Sequence, residues 1–378
     1  MKTFPPFPVI RFRTLLFFGL SIPVMGQFTY ERDDRVLSAE ERVIGHGQLR
    51  YRVVRDWTKA DPAVAPVVNA HAMAMGNDGL YYLVTDHPDH AFHVFRPDGT
   101  FIRSFGTGLK GGHGVAMLPD GDRELVVHVD CGWEFDAAGK ATKKTGSVNL
   151  LTKDGDVVRT LPDTIDLGLE AKGTFYGPCD VAITPGGDIL VIDGYSSDRV
   201  LHFTKKGKLV RHWGGHKPDD ASDIRNGHGI SIDPTDPDNP VVWISSREQN
   251  QLKRFTLEGK HIDTIDLPGA YAGQAVFHDD KVYTGVCWSK DPKSGSKKSA
   301  SGFVLVLDRK TGRVLSAPGG TPPPPDASHT DHGHPHLHGQ KHPVFRHVHD
   351  LMVDAQGNIF VMEWNAGRRY PYKLELVE

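Results

Sequence analysis

The sequence predicts an all-β protein, a six-bladed β-propeller of four-stranded blades whose ring is closed by a strand from the N-terminal side. Three observations carry this. The stretch from Gly177 to Gly214 breaks into the short apolar or alternating runs DVAI, DILVID, RVLHF and KLVRHW, separated by PGG, GYSSD and KKGK, which is the length and punctuation of one antiparallel blade. The same unit recurs along the chain, and a blade cannot bury both of its faces without neighbours. The last unit has only three strands, while LRYRVVRDW (Leu49 to Trp57) has no partner before it. Pairing the spare strand with the short unit closes the ring and removes exposed sheet edges.

Taken in order, residues 1–26 read as a signal peptide. Lys2, Arg11 and Arg13 precede the apolar run from Leu15 to Met25, and Gly26 supplies a small residue before polar sequence. The run is short for a membrane span, so a secreted or periplasmic monomer, free of the membrane once the signal is removed, is expected; an N-terminal anchor is the other reading. Residues 27–48 read as an irregular polar arm, and residues 49–378 as the propeller. The first blade starts at His71 (HAMAM, GLYYLVTD, HAFHVF, TFIRSFG). The second starts at His113 and is interrupted by an insertion rich in Lys, Gly and Thr. The third opens at Cys179 and the fourth at His228 (HGISI, VVWISS, QLKRF, HIDTI). The fifth, near Gln274, is the most degenerate and carries a Lys- and Ser-rich insertion. The sixth starts at His349. Before it, the Pro- and His-rich segment of about 321–347 reads as a surface loop, either solvated or able to recruit metal.

A net charge of -3 and the lack of any basic stripe interleaved with aromatics exclude nucleic acid as a partner. Three cysteines, Cys131, Cys179 and Cys287, are too few and too odd in number for a disulfide scaffold. Histidine is the outlier, at 21 residues.

Aligning the first strand of each blade puts His71, His113, Cys179, His228, Gln274 and His349 in one register, two residues before the first core aliphatic. Innermost strands run beside the central channel, so these residues form a ring around one axis. Four imidazoles and a thiol are a metal-ligand inventory, with zinc as the expected ion, although channels of this kind also hold polar side chains bridged by water. Asp350 follows His349 and points the other way in an extended strand, either toward a hard cation with backbone carbonyls or toward nearby amides. A second register, at the end of each second strand, contains His87, Tyr195 and Arg247. Over a metal they would supply a base, an anion clamp and a further polar contact; away from one they are surface residues.

These residues resemble the peptidyl-α-hydroxyglycine α-amidating lyase (peptidylamidoglycolate lyase) family, built on NHL-type repeats. The resemblance is densest in GPCDVAITPGGDILVIDGYSSDRV, and HGVAM at His113, HGISI at His228 and VHDLMV at His349 and Asp350 are similar to the family's three zinc-ligand strands in the same order. It implies that His113, His228 and His349 hold a catalytic Zn2+, and that Tyr195 takes the hydroxyl proton of a hydroxyglycine. It also implies that Arg247 is an active-site arginine and that Asp350, with carbonyls near Met73 and Val115, forms a structural Ca2+ site. The chain departs from the family at His87, which stands where a second arginine meets the substrate carboxylate, and at Ser196, which stands where a cysteine follows the tyrosine. Cys179 replaces a threonine, and His71 adds an imidazole. The expectation is a zinc-dependent carbon–nitrogen lyase cleaving an N-acyl α-hydroxyglycine, as a small molecule or peptide, to an amide and glyoxylate, beside a separate monooxygenase. A different metal-dependent enzyme on the same scaffold, hydrolase or lactonase-like, and a non-catalytic NHL-repeat binding module are the alternatives.

Overall fold

Short apolar runs separated by turn glycines pair as antiparallel hairpins, and here they do so six times. The computed structural model describes residues 42–135, 141–291, 293–322, 337–339 and 344–377. The expected signal peptide, most of the arm and most of the His-rich loop lie outside the described residues. The third blade shows the plan: Asp180–Ile183, Ile189–Asp193, Arg199–Phe203 and Leu209–Gly214 pair in chain order from channel to rim. Its second strand is buried at every position, whereas the outermost alternates between partly buried and exposed, which is why the first reads as an apolar run and the last as an alternation. Between the first two strands, the Thr184 amide donates to the Asp188 carbonyl, and Gly187 takes a φ of 84° that a side chain would disfavour.

The sixth blade closes the ring. Val348–Val353, Ile359–Glu363 and Tyr372–Val377 are joined by Leu49–Val54 from the other end of the chain, with Tyr51 opposite Leu376 and Val53 opposite Leu374. The end of the arm, expected to be irregular, adds one more strand, Val43–His46, at the rim of that sheet. It forms because Gly45 and Gly47 adopt positive φ and let the chain turn back onto Leu49.

The fifth blade is the irregular one, as its sequence suggested. Its long strand Lys281–Lys290 pairs with two short inner pieces, Ala270–Ala272 and Val276–His278, and then with Lys297–Lys298 and Phe303–Asp308. Among the described residues the one helical element is the 3-10 turn Arg247–Gln249. The cores are wedges between blades. Leu118, Val127 and Val148 of the second blade meet Val181, Val191 and Phe203 of the third, and Met73, Tyr81 and Phe95 of the first meet Met352 and Phe360 of the sixth. The innermost strands are thereby held edge-on to one channel, and the functional side chains lie there.

Candidate metal centre and active site

Each channel histidine sits at a β-bulge. In the first blade Ala70 faces Thr85 but Ala72 faces Val84, so His71 is the extra residue. His113, His228 and His349 occupy the same slip in the second, fourth and sixth blades. A bulge re-aims one side chain without disturbing the alternation that follows it, so the imidazole turns inward while the core aliphatics keep their face. The glycines after His113 and His228 have a steric reason. A Cβ at Gly114 would lie 2.9 Å from Asp180 Oδ1 and 3.0 Å from the Cys179 carbonyl, and one at Gly229 would lie 2.4 Å from Gln274 Cα.

The hydrogen bonds at the back of three rings decide what their front nitrogens present. His113 Nδ1 lies 2.6 Å from the Cys179 carbonyl and His349 Nδ1 lies 2.9 Å from the His71 carbonyl, and since a carbonyl only accepts, both Nδ1 atoms donate. His71 Nε2 donates to Asp86 Oδ2 at 3.1 Å. Burial, and after it the neighbouring His71, Arg247 and Lys143, hold His113 well below the ordinary imidazole range; burial, His113, His71 and Arg247 do the same for His349. In the neutral His113 and His349 rings Nε2 therefore carries the lone pair, and the contact of His71 Nε2 with Asp86 leaves Nδ1 as that ring's inward atom. These three nitrogens face one another: His349 Nε2 is 3.0 Å from His113 Nε2 and 3.4 Å from His71 Nδ1. Lone pairs at that range repel unless a cation lies among them. Nitrogens about 3.3 Å apart are what zinc bonds of about 2.0–2.1 Å in a tetrahedron require, so the donor set fits a metal ion. His71, His113 and His349, all buried, form the group that could hold one.

His228 stands beside this group. Its ring packs 4.8 Å from those of His113 and His349, but its Nε2 faces the Tyr195 hydroxyl at 3.1 Å. The Tyr195 oxygen is also 3.0 Å from His113 Nε2. Burial pushes this phenol well above its ordinary value, and Arg247 pulls against that. Two other members of the ring do not present side chains to the metal group. Cys179 contributes its carbonyl, while its Sγ faces the Gly177 carbonyl, and Gln274 Nε2 donates to the Ile230 carbonyl.

Above the imidazoles opens a cavity of about 270 Å³ that includes Tyr195 and Arg247 in its wall. Every connection from a second to a third strand borders this mouth. In the first blade the residue delivered to the cavity is Asp86, not His87, which does not line it. The His87 ring turns back over its own turn, where Nδ1 accepts from the Asp89 amide at 3.2 Å and the ring packs against His90. Asp86 is fixed instead, its Oδ1 accepting from the Asn69 amide and its Oδ2 from Asn69 Nδ2 and His71 Nε2. Sequence reading also passed over Trp133 and Lys143 from the second-blade insertion, Trp288 and Lys297 from the fifth, and Trp364 from the sixth, all in the wall. The shared place of the two lysine-rich insertions within their blades was the available signal. Cys131 and Cys287 line the wall as well; burial raises both thiols to about 12, and all three cysteines are free.

Below the imidazoles a smaller space is lined by Ala72, Asp180 and Asp350, whereas the expected Met73 and Val115 do not line it. Asp350 Oδ1 is buried without a hydrogen-bond partner among the described residues. Burial and then Asp180 push the Asp350 carboxyl well up. Two adjacent buried carboxyls, one with an orphaned oxygen, fit a cation that would relieve both costs.

No family model matches the chain. Among curated proteins it is 39% identical over 61 residues to peptidyl-alpha-hydroxyglycine alpha-amidating lyase 1 of Drosophila melanogaster, 16% of this chain and 11% of that one. It is 22% identical over 277 residues to a probable peptidyl-alpha-hydroxyglycine alpha-amidating lyase, pgal-1, of Caenorhabditis elegans, 71% of this chain and 65% of that one. The matches thus span less than two thirds of either relative. Among solved structures, a gluconolactonase from Xanthomonas campestris superposes with a TM-score of 0.53 at 13% identity over 88% of this chain and 91% of that one, a likeness of fold.

Proposed function

We propose that this chain, which resembles the peptidyl-α-hydroxyglycine α-amidating lyase family, is a zinc-dependent carbon–nitrogen lyase that splits an N-acyl α-hydroxyglycine into the N-acyl amide and glyoxylate. The observation that supports this reading most is the convergence of His71 Nδ1, His113 Nε2 and His349 Nε2 beside the Tyr195 hydroxyl. These three imidazoles would hold the ion, with His228 facing the same space. Zinc bound there would act as a Lewis acid on a substrate oxygen.

The chain's own groups do the rest. Tyr195 would act as the phenolate, its own proton released to solvent beforehand, and its Oη takes the proton of the substrate hydroxyl. The hydroxyl oxygen then forms the carbonyl of glyoxylate, the C–N bond breaks, and its electron pair stays on the amide nitrogen, which recovers one proton, so atoms and charge balance. Arg247, held by its Nε donating to Asn226 Oδ1 at 2.8 Å, lowers the cost of ionising Tyr195 and presents positive charge to an anionic substrate. The lower cavity would take the structural calcium, with Asp350 as its principal carboxylate.

The test is glyoxylate release from N-benzoyl-α-hydroxyglycine by zinc-loaded protein, with and without chelator. Chelation should stop release and zinc restore it. Tyr195→Phe should lower turnover by about 10²-fold or more with zinc content unchanged; undiminished turnover in that variant would remove the base. One observation favours a second reading. With His87 outside the cavity the family's second arginine has no counterpart at that register, so a metal-dependent hydrolase or lactonase-like activity is the rival. Zinc-loaded protein that opens lactones and releases no glyoxylate would establish it.

A further inference from the structure

The two lysine-rich insertions converge on the cavity as a matched pair. In the second blade, Trp133–Phe135 and Ala141–Lys143 pair as a hairpin. In the fifth, Lys297–Lys298 folds back on the end of the long strand. The second-blade hairpin brings Trp133 and Lys143 to the wall and the fifth-blade insertion sets Lys297 over Trp288 of the long strand, with Lys143 Nζ 5.2 Å from the Trp133 ring centroid and Lys297 Nζ 5.0 Å from that of Trp288. They differ in charge balance. Lys297 is ion-paired with Glu248. Lys143 has no carboxylate partner among the described residues; its Nζ donates one hydrogen bond, 2.6 Å to the Cys131 carbonyl, which leaves two of its three protons unused. The nearest candidate partners are engaged elsewhere: Glu134 pairs with Lys110 and Lys144, and Asp130, raised to about 7 by burial, accepts from the Gly132 amide. Arg247, whose guanidinium lies 5.9 Å from the Tyr195 ring centroid where Lys143 Nζ lies 5.6 Å from it, also has no carboxylate partner among the described residues. It packs 5.1 Å from the Trp288 ring centroid. Asp86, the one carboxylate of the wall among the described residues, is taken by Asn69 and His71.

Two cations that form no ion pair among the described residues, in a cavity lined by three tryptophans, ask for an anion with an apolar neighbour. We infer that Lys143, with Arg247 beside it at the Tyr195 ring, is the clamp for the substrate carboxylate and stands in for an arginine at the His87 register, while Trp133, Trp288 and Trp364 receive an apolar acyl group. The substrate class is therefore an N-acylglycine-type carboxylate with an apolar or aromatic acyl chain. This deepens the lyase reading and rests on it for the reaction, but the recognition is separable from the chemistry.

The test uses unreactive probes on the zinc-loaded full chain. Binding of N-benzoylglycine and of its neutral counterpart N-benzoylglycinamide is measured by calorimetry for wild type, Lys143→Met and Lys143→Arg. A charge-assisted contact predicts that Lys143→Met weakens the carboxylate by about tenfold or more, leaves the amide within about twofold, and that Lys143→Arg recovers most of the loss. Equal weakening of both probes, no weakening of either, or a wild type that does not prefer the carboxylate would overturn the clamp. Carboxylate preference lost in Lys143→Met, in a protein that releases no glyoxylate from any hydroxyglycine, would overturn the lyase reading and leave the clamp in place.

Discussion

Asp86 acts on the metal group through another residue. Its Oδ2 accepts the His71 Nε2 hydrogen bond, which turns His71 Nδ1 toward His349. The Asn69 side chain that braces Asp86 is itself fixed by accepting from the Asn365 amide, so the sixth blade helps to hold a first-blade imidazole. Partners behind metal-binding imidazoles set tautomer and basicity, and their loss costs about 10–100-fold in metal affinity. Asp86→Asn should weaken zinc binding by that order, measured by competition with a chromophoric chelator, with His71→Ala at least as weak. An unchanged affinity in both would mean that His71 is not a ligand. At this scale the four histidines were legible from register alone. Asp86 was not, because the neighbouring His87 carries the more conspicuous chemistry and only the turn after Thr85 decides which of the two faces inward.

Within the strand, the bulge converts a repeated histidine into a converging one. The extra residue requires the chain just after it to pass close to the next blade, and the dipeptide His-Gly records this at Gly114 and Gly229. Adding a methyl at Gly229 forces it against the backbone of Gln274, which has no flexible end to yield. Overpacking of this kind costs about 1–3 kcal/mol, so Gly229→Ala should lower the denaturation midpoint by a corresponding amount and reduce zinc affinity through His228 and its neighbours. A variant as stable as wild type would show that the fourth and fifth blades move apart freely. The insertions belong to the same scale. Their lysines were visible as composition, but their pairing across the cavity depends on which blades they leave.

Over the whole molecule, burial of ionisable groups between blades sets opposing pH responses. His128, whose two ring nitrogens have no partner among the described residues, is pushed down to about 4 by burial. Unfolded, it returns to about 6.5, so between these values the unfolded chain binds more protons and stability falls as pH falls, by up to about 1.4 kcal/mol per unit. Asp130 and Asp198, raised by burial to about 7 and about 6, act in the opposite sense. Their folded forms keep a proton that the unfolded chain has released, and that contribution is lost as pH rises from about 4 through these values. Comparing wild type with His128→Leu isolates the histidine: the stability difference should shift in favour of the variant on going from pH 6.5 to 4, and a flat difference would show that His128 titrates normally in the fold. Blade number, ring closure and the register of His71, His113, His228 and His349 were determined by the sequence itself, because strand alternation, turn residues and repeat length are local. The tertiary structure alone decided which imidazole nitrogens meet, that Asp86 replaces His87 at the cavity, and that Lys143 and Arg247 come to the same Tyr195 ring. One-residue bulges and the distances between blades are set by closing the ring, and no stretch of local sequence contains them.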